Sequence, residues 1–212
     1  MIWTGEHMFN IWNFWADKYD KLWVQKYSLK PTRHYIIKVL SNYKNKDELK
    51  VLDLGCGTGE LIGELTKEFK NIKITGLDFS EKMIQISKKR NPSVKHLIMD
   101  VSELNFLDEE YDIIISTHSI PYYKEPQLIF KHLYKMLKYD GRIFAAFASG
   151  DSIYDKFILS FVKLTTGRAN YPSDYEFRLL ISPFFDVENL EIIRKKCFMP
   201  RIAVYTLKKV KS

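Results

Sequence analysis

Cysteine is scarce in this 212-residue chain: there are two, Cys56 and Cys197, and they form no C-x-x-C pair. The five histidines show no ligand spacing either. A disulfide framework and a structural metal are therefore excluded as organising devices, and a reducing, cytoplasmic setting is the expectation. No apolar run reaches about 18 residues, so no transmembrane span is expected. The leader MIWTGEHMFNIW lacks a basic flank and a small-residue cleavage site, so no secretory signal is read there. Repeats and low-complexity segments are missing too. Nor does the charge gather in one place. The net charge of +7 admits nucleic-acid binding, but the lysines are scattered. Lys44, Lys46, Lys88, Lys89, Lys195, Lys196, Lys208 and Lys209 fall mostly at helix or chain ends, where solvated lysine is ordinary. A nucleic-acid partner is not expected.

What is present reads as one globular domain, 46% hydrophobic and large enough for a core covered on two sides. Its most informative stretch is VLDLGCGTGE, residues 51–60. The run VLDL is too short for a helix and apolar on both faces, as a buried parallel strand is. Glycines 55, 57 and 59 let the chain turn sharply and bring backbone N–H groups close to a ligand. Leu61, Leu65 and Phe69 then recur at helical spacing. This is a strand-to-helix turn, where open α/β sheets bind cofactors. The dinucleotide fingerprint G-x-G-x-x-G is not met, because Glu60 stands where its last glycine would be. A glutamate facing a pyrophosphate is unfavourable, which disfavours NAD and FAD.

Strand and helix patterns alternate from residue 49. NIKITGLD is a strand ending at Asp78, and Ser80 caps the helix after it. VKHLIMD ends at Asp100, YDIIISTHS is a fourth strand and GRIFAAFAS a fifth. Between the last two, Leu128, Phe130, Leu133 and Leu137 mark a helix leaving at Gly141. The rhythm predicts a doubly wound sheet with right-handed crossovers. FFDVENLEII and FMPRIAVYTLKK are joined by only a few residues, about Arg194 to Cys197, so they pair antiparallel. The second is apolar on both faces and reads as interior. Outside this rhythm, residues 8–44 are aromatic helical material with Trp12, Trp15, Tyr19 and Trp23 at three- or four-residue intervals, and Pro31 opens a second helix. Residues 151–182 form a helical insert.

Asp53, Asp78 and Asp100 lie at or near the ends of successive strands, where such sheets hold ligands. A carboxylate at Asp78 can accept both hydroxyls of a ribose, and Asp100 an exocyclic amine, while the N–H of Val101 donates to a ring nitrogen. The pattern describes an adenosine-shaped ligand. The alternative is that Asp78 and Asp100 merely cap helices, with VSELNF the weaker helix opening of the two.

These residues resemble the class I S-adenosylmethionine-dependent methyltransferases. VLDLGCGTGE, GLDFSEKM, IMDVSEL, YDIIIS and MLKYDGRIF follow in family order over most of residues 49–148. Within that family the chain looks most like the small-molecule branch with ubiquinone- and menaquinone-type C-methyltransferases, through WADKYDKLW and SLKPTR. KYDG replaces the usual K-P-G-G, and THSIPYY stands where amino-methylating enzymes carry D/N-P-P-Y/F. The resemblance implies a Rossmann-like, seven-stranded, doubly wound sheet with an antiparallel last strand, helices on both faces and a helical N-terminal lid. It implies one domain: an aromatic lid (1–46), a cofactor-binding core (49–148), the insert (151–182) and a closing strand pair (183–212). It implies S-adenosylmethionine as methyl donor and S-adenosylhomocysteine as product, held by Asp53, Gly55, Cys56, Gly57, Thr58, Gly59, Asp78, Phe79, Met83, Asp100, Val101 and Thr117. In it the leader folds over the methionine end, with Tyr19 and Arg33 at the carboxylate; otherwise Arg33 is a surface residue near a helix start. His118 is the candidate general base or else a pocket wall, and Tyr122 and Tyr123 line the acceptor pocket or pack. The expected partner is a small-molecule methyl acceptor, reached by transient membrane contact if it is lipid-like. A non-catalytic cofactor-binding subunit, an RNA methyltransferase and, more distantly, an NAD oxidoreductase are the rival readings.

Overall fold

Four aliphatic residues with Lys50 and Asp53 between them, Leu49–Leu54, form strand β1 of a computed structural model that describes residues 5–166, 169–196 and 199–210. Strands β2 (Ile72–Asp78), β3 (Lys95–Ile98), β4 (Tyr111–Thr117), β5 (Leu137–Ala148), β6 (Phe185–Ile193) and β7 (Ile202–Lys209) complete one sheet in the order β3-β2-β1-β4-β5-β7-β6. The pairings from β3 through β5 are parallel, and β7 runs antiparallel to both β5 and β6. The doubly wound, seven-stranded sheet expected from the sequence is present. β7 is interior, as its two apolar faces require. The chain leaves β1 toward β2 on one side and returns beside it as β4 on the other. That reversal opens a crevice beyond the ends of β1 and β4, where ligands bind in such sheets.

Alternate residues of each strand serve opposite layers. Leu52, Leu54 and Ile114 pack under α5 (Pro126–Met136) and α7 (Asp174–Ile181), through Phe130, Leu133 and Phe177. Val51, Ile113 and Ile115 face α2 (Lys30–Leu40), α3 (Glu60–Glu68) and α4 (Glu81–Arg90), through Ile36, Leu40, Ile62, Leu65 and Ile84. Burying each such side chain is worth about 1.5–3 kcal/mol, which fixes the two-layer cover. The aromatic leader, α1 (Gly5–Tyr19), ends at Tyr19; a π-helical turn, Gln25–Leu29, joins it to α2, so Trp23 stands off the stripe and is exposed. α6 (Ile153–Thr166) precedes α7.

Two boundaries and the burial of one side chain differ from expectation. The helix after β4 stops at Met136 rather than Gly141, and Leu137 is already strand, paired with Tyr111 and fully buried. Gly141 is not a helix exit: a Cβ there would lie 2.8 Å from the Asp112 carbonyl oxygen and 2.7 Å from Leu137, so glycine permits close packing beside a bulge. Leu128, placed by its spacing on the core face, is exposed and borders a cavity. The link between β6 and β7 is also longer than expected, residues 194–201, because Arg194 and the Arg201 backbone N–H both reach the buried carboxylate of Asp155, at 2.5 and 3.2 Å. Cys197 lies outside the described residues; Cys56 is a free, buried thiol.

Candidate functional site

The loop after β1 is built from left-handed backbone: φ is +72° at Gly55, +53° at Gly57 and +75° at Gly59. The N–H groups of Gly55 and Cys56 donate to the Leu77 carbonyl, folding the loop over the end of β2. Gly59 begins α3, and a Cβ there would overlap Ser87 Oγ and lie 2.6 Å from Asn91 Nδ2. Gly59→Ala adds left-handed strain to that overlap, and is expected to lower stability by about 2 kcal/mol, read as a shifted urea midpoint at unchanged slope.

Asp78 organises what surrounds the loop. Its Oδ2 accepts from the Gly57 N–H and its Oδ1 from the Ser80 N–H, both at 2.9 Å. Ser80 in turn caps α4 by accepting from the Met83 N–H. Asp78 is thus buried with two backbone donors, neither of them from a helix it caps. Burial still dominates and raises its carboxyl to about 6. Asp100 does cap a helix: it accepts from the Ser102 N–H at 2.9 Å, and Glu103 accepts from the Asp100 N–H at 3.0 Å. VSELNF, read above as a weak helix opening, is therefore a full capping box over the 3-10 turn Val101–Phe106.

A cavity of about 270 Å³ lies between these elements. Of the residues expected at a cofactor, Gly55, Gly57, Asp78, Phe79, Met83, Asp100, Val101, Thr117 and Tyr19 border it, as do His118, Tyr122 and Tyr123. The structure brings these together; five others stand outside the wall. Asp53 is buried beneath the loop with no hydrogen-bond partner for either oxygen among the described residues. Burial, and then the charge of Asp78, raise its carboxyl to about 7. Cys56 packs in the core under α3, where burial holds its thiol well above the usual range. Gly59 starts α3. Thr58 donates to Asp20 at 2.6 Å and helps tether the leader.

Arg33 is neither a surface residue nor part of the cavity wall. It is buried, with Nη2 2.7 Å from Glu60, Nε 3.1 Å from Glu64 and Nη1 donating to Gln25 at 3.0 Å. Its guanidinium holds α2 against the first turns of α3. The leader is fastened by pairs that no local pattern announces: Asp20 with Arg90 at 2.6 Å, Asn13 with Ser80 at 2.7 Å, and Trp12 edge-on to Tyr122 at 5.3 Å. Tyr19 sits over Gly57, its ring 3.8 Å from where a Cβ would stand. Burial raises the Tyr19 phenol well above its ordinary range, and nearby Asp78 adds to this.

His118 has φ +61°, rare for a residue with a side chain, and its N–H donates to the Ala146 carbonyl at 2.6 Å. Burial first and Arg33 second lower its imidazole to about 4. Tyr123 is a packing residue as well as a wall, its hydroxyl held by Ser116 and Ser119 at 3.0 and 3.2 Å. Beyond His118 a second cavity, of about 510 Å³, opens between the leader and α6.

The fold and its crevice define the class I methyltransferase architecture, and the comparisons with known proteins agree. The structure resembles magnesium protoporphyrin IX methyltransferase from Synechocystis PCC 6803, solved with bound SAM, at TM-score 0.73 and 17% identity over 99% of this chain and 100% of that one. It also resembles an N-methyltransferase of Bradyrhizobium japonicum, solved with S-adenosyl-L-homocysteine, at TM-score 0.75 and 13% identity over 96% and 99% of the two chains. In sequence, the malonyl-[acyl-carrier protein] O-methyltransferase of Priestia megaterium is 35% identical over 57% of this chain and 45% of its own. The demethylmenaquinone methyltransferase of Thermotoga maritima is 28% identical over 66% and 61%. The match spans less than half the length of the first curated relatives. A model described as a methyltransferase domain matches residues 51–141 of this chain.

Proposed function

We propose that this chain is an enzyme that transfers a methyl group from S-adenosylmethionine to a small-molecule acceptor and releases S-adenosylhomocysteine. The observation that carries the reading is the cavity under the glycine loop, with carboxylates at its rim. Asp78 uses one acceptor site of each oxygen on a backbone N–H, and a carboxylate has about four, so two remain for the vicinal ribose hydroxyls. Phe79, Met83 and Met99 offer apolar surface for a purine, with Asp100 and the Val101 N–H at its edge. Asp53 and Asp78 make the site favour a ligand with cationic groups over a diphosphate. When bound, S-adenosylmethionine supplies a methyl group on a sulfonium leaving group. Alignment then carries much of the catalysis, and the leader, fastened across the loop by Asp20 and Asn13, excludes water and positions the reactants. The setting we assign is the cytoplasm, where the Cys56 thiol stays reduced.

Calorimetry tests this directly. S-adenosylmethionine and S-adenosylhomocysteine are expected to bind, with about 2.7 kcal/mol of stabilisation at a hundredfold excess over Kd. NAD and FAD are expected to give no heat. Micromolar NAD binding without S-adenosylhomocysteine binding would overturn the reading.

A further inference from the structure

The larger cavity has a mainly apolar wall, interrupted by Ser28, His118 and three tyrosines, Tyr19, Tyr122 and Tyr171. Trp12, Trp15 and Trp23 come from the leader, Leu159 from α6 and Ile202 from β7. Among the described residues that border it there is no Asp, Glu, Lys or Arg. It shares Trp12, Tyr19, His118 and Tyr122 with the smaller cavity, so the two adjoin at His118. There Nε2 of His118 is buried and has no hydrogen-bond partner among the described residues. An unpaired buried polar atom on a boundary of aromatic side chains is a vacant hydrogen-bonding position.

We infer that this cavity is the acceptor site, and that it selects an uncharged, largely apolar molecule whose single polar group pairs with His118 Nε2. The inference rests on the transferase reading above. A carboxylate entering a site whose described wall residues include no cation loses its hydration without compensation. A malonyl acceptor, the group in the name of the Priestia relative, carries such a carboxylate and would need a cationic partner. A neutral hydroxyl or carbonyl compound meets no such penalty. His118 does not supply charge either: burial keeps its imidazole near 4, so it is neutral at pH 7. That low value also separates two roles. An imidazole held below its ordinary range is a weaker proton acceptor than a free one, so we assign His118 the part of hydrogen-bonding partner and not of base. The left-handed backbone at His118, φ +61°, aims its ring at this boundary at a steric cost that the fold sustains.

Three probes of similar size separate charge from polarity: para-butylphenol, butylbenzene and para-butylbenzoate. Binding is read without cofactor from the fluorescence of the tryptophans in the wall. Para-butylphenol is expected to bind roughly a hundredfold more tightly than para-butylbenzoate. His118→Gly relieves the strained φ, so it folds, and the phenol-to-butylbenzene affinity ratio should fall about fivefold to tenfold toward unity. His118→Asn, which tolerates the same backbone, checks that the loss belongs to the imidazole. Equal or tighter binding of the benzoate overturns the inference, as does a ratio unmoved in both variants. The two readings fail separately. Loss of phenol selectivity with S-adenosylhomocysteine still bound in calorimetry sinks this inference alone. Retained selectivity without S-adenosylhomocysteine binding sinks the transferase reading, and the acceptor role with it, while the cavity's preference for a neutral ligand stands.

Discussion

Arg33→Ala is expected to lower the free energy of unfolding by about 3 kcal/mol, and to weaken S-adenosylhomocysteine and 5′-methylthioadenosine alike. The guanidinium is buried and contacts Glu60, Glu64 and Gln25 at once. Removing it leaves two acids of α3 facing a void, and Glu64 Oε2 already has no partner among the described residues. Breaking a buried pair from one side costs about 3–5 kcal/mol; the two glutamates are about a third exposed, so water screens part of that. The ligand comparison is the sharper half. Only one of the two ligands has an amino-acid carboxylate. An arginine engaged by two glutamates acts through the seating of the leader, and that serves both ligands. Equilibrium urea unfolding gives the first number and calorimetry the second. A loss confined to S-adenosylhomocysteine would place Arg33 at the ligand carboxylate after all.

That arginine also marks where sequence reading stops. The glycine loop and the strand-end acids are legible because each depends on its neighbours: three glycines in alternation demand a turn, and an acid after a short apolar run demands a strand end. Arg33 pairs with acids 27 and 31 residues away, on a helix reached only after a strand, and no local pattern encodes such a meeting. The same holds for Asp20 with Arg90 and Asn13 with Ser80. Other misses had a readable signal. Asp100 and Glu103 stand at capping-box spacing, which predicts the turn over 101–106. Leu137 fits a helical period, yet it already begins strand β5 and pairs with Tyr111 across the sheet. Periodicity alone cannot show where a helix hands its stripe to a strand.

Asp53 is expected to make stability fall by up to about 4 kcal/mol as pH rises from 4 to 8, and Asp53→Asn to abolish most of that fall. The sign follows from the direction of the shift. Burial, then Asp78, raise the Asp53 carboxyl from 3.8 to about 7, and burial raises Asp78 to about 6. A folded carboxyl that holds its proton more tightly than the unfolded one stabilises the fold fully below pH 4. That contribution is lost as pH climbs through about 6 to 7. For Asp53 the difference between 3.8 and about 7 is worth about 4 kcal/mol; Asp78 is coupled to it, so its share is not simply additive. Asparagine has no charge to desolvate, so the variant should exceed the parent in stability at pH 8 and lose that advantage near pH 4. Ligand binding then runs the other way. Two ribose hydroxyls donated to Asp78 favour its ionised form, and a cationic ligand group favours ionised Asp53. S-adenosylhomocysteine should therefore bind more tightly as pH rises from 5 to 8, releasing protons near pH 6. Calorimetry in buffers of different ionisation enthalpy counts them. In Asp78→Ala both the affinity, by about 1.5–3 kcal/mol for each charged hydrogen bond lost, and most of the proton release should disappear. Proton uptake, or an affinity flat from pH 5 to 8, would mean that the Asp78 carboxylate does not face the ligand.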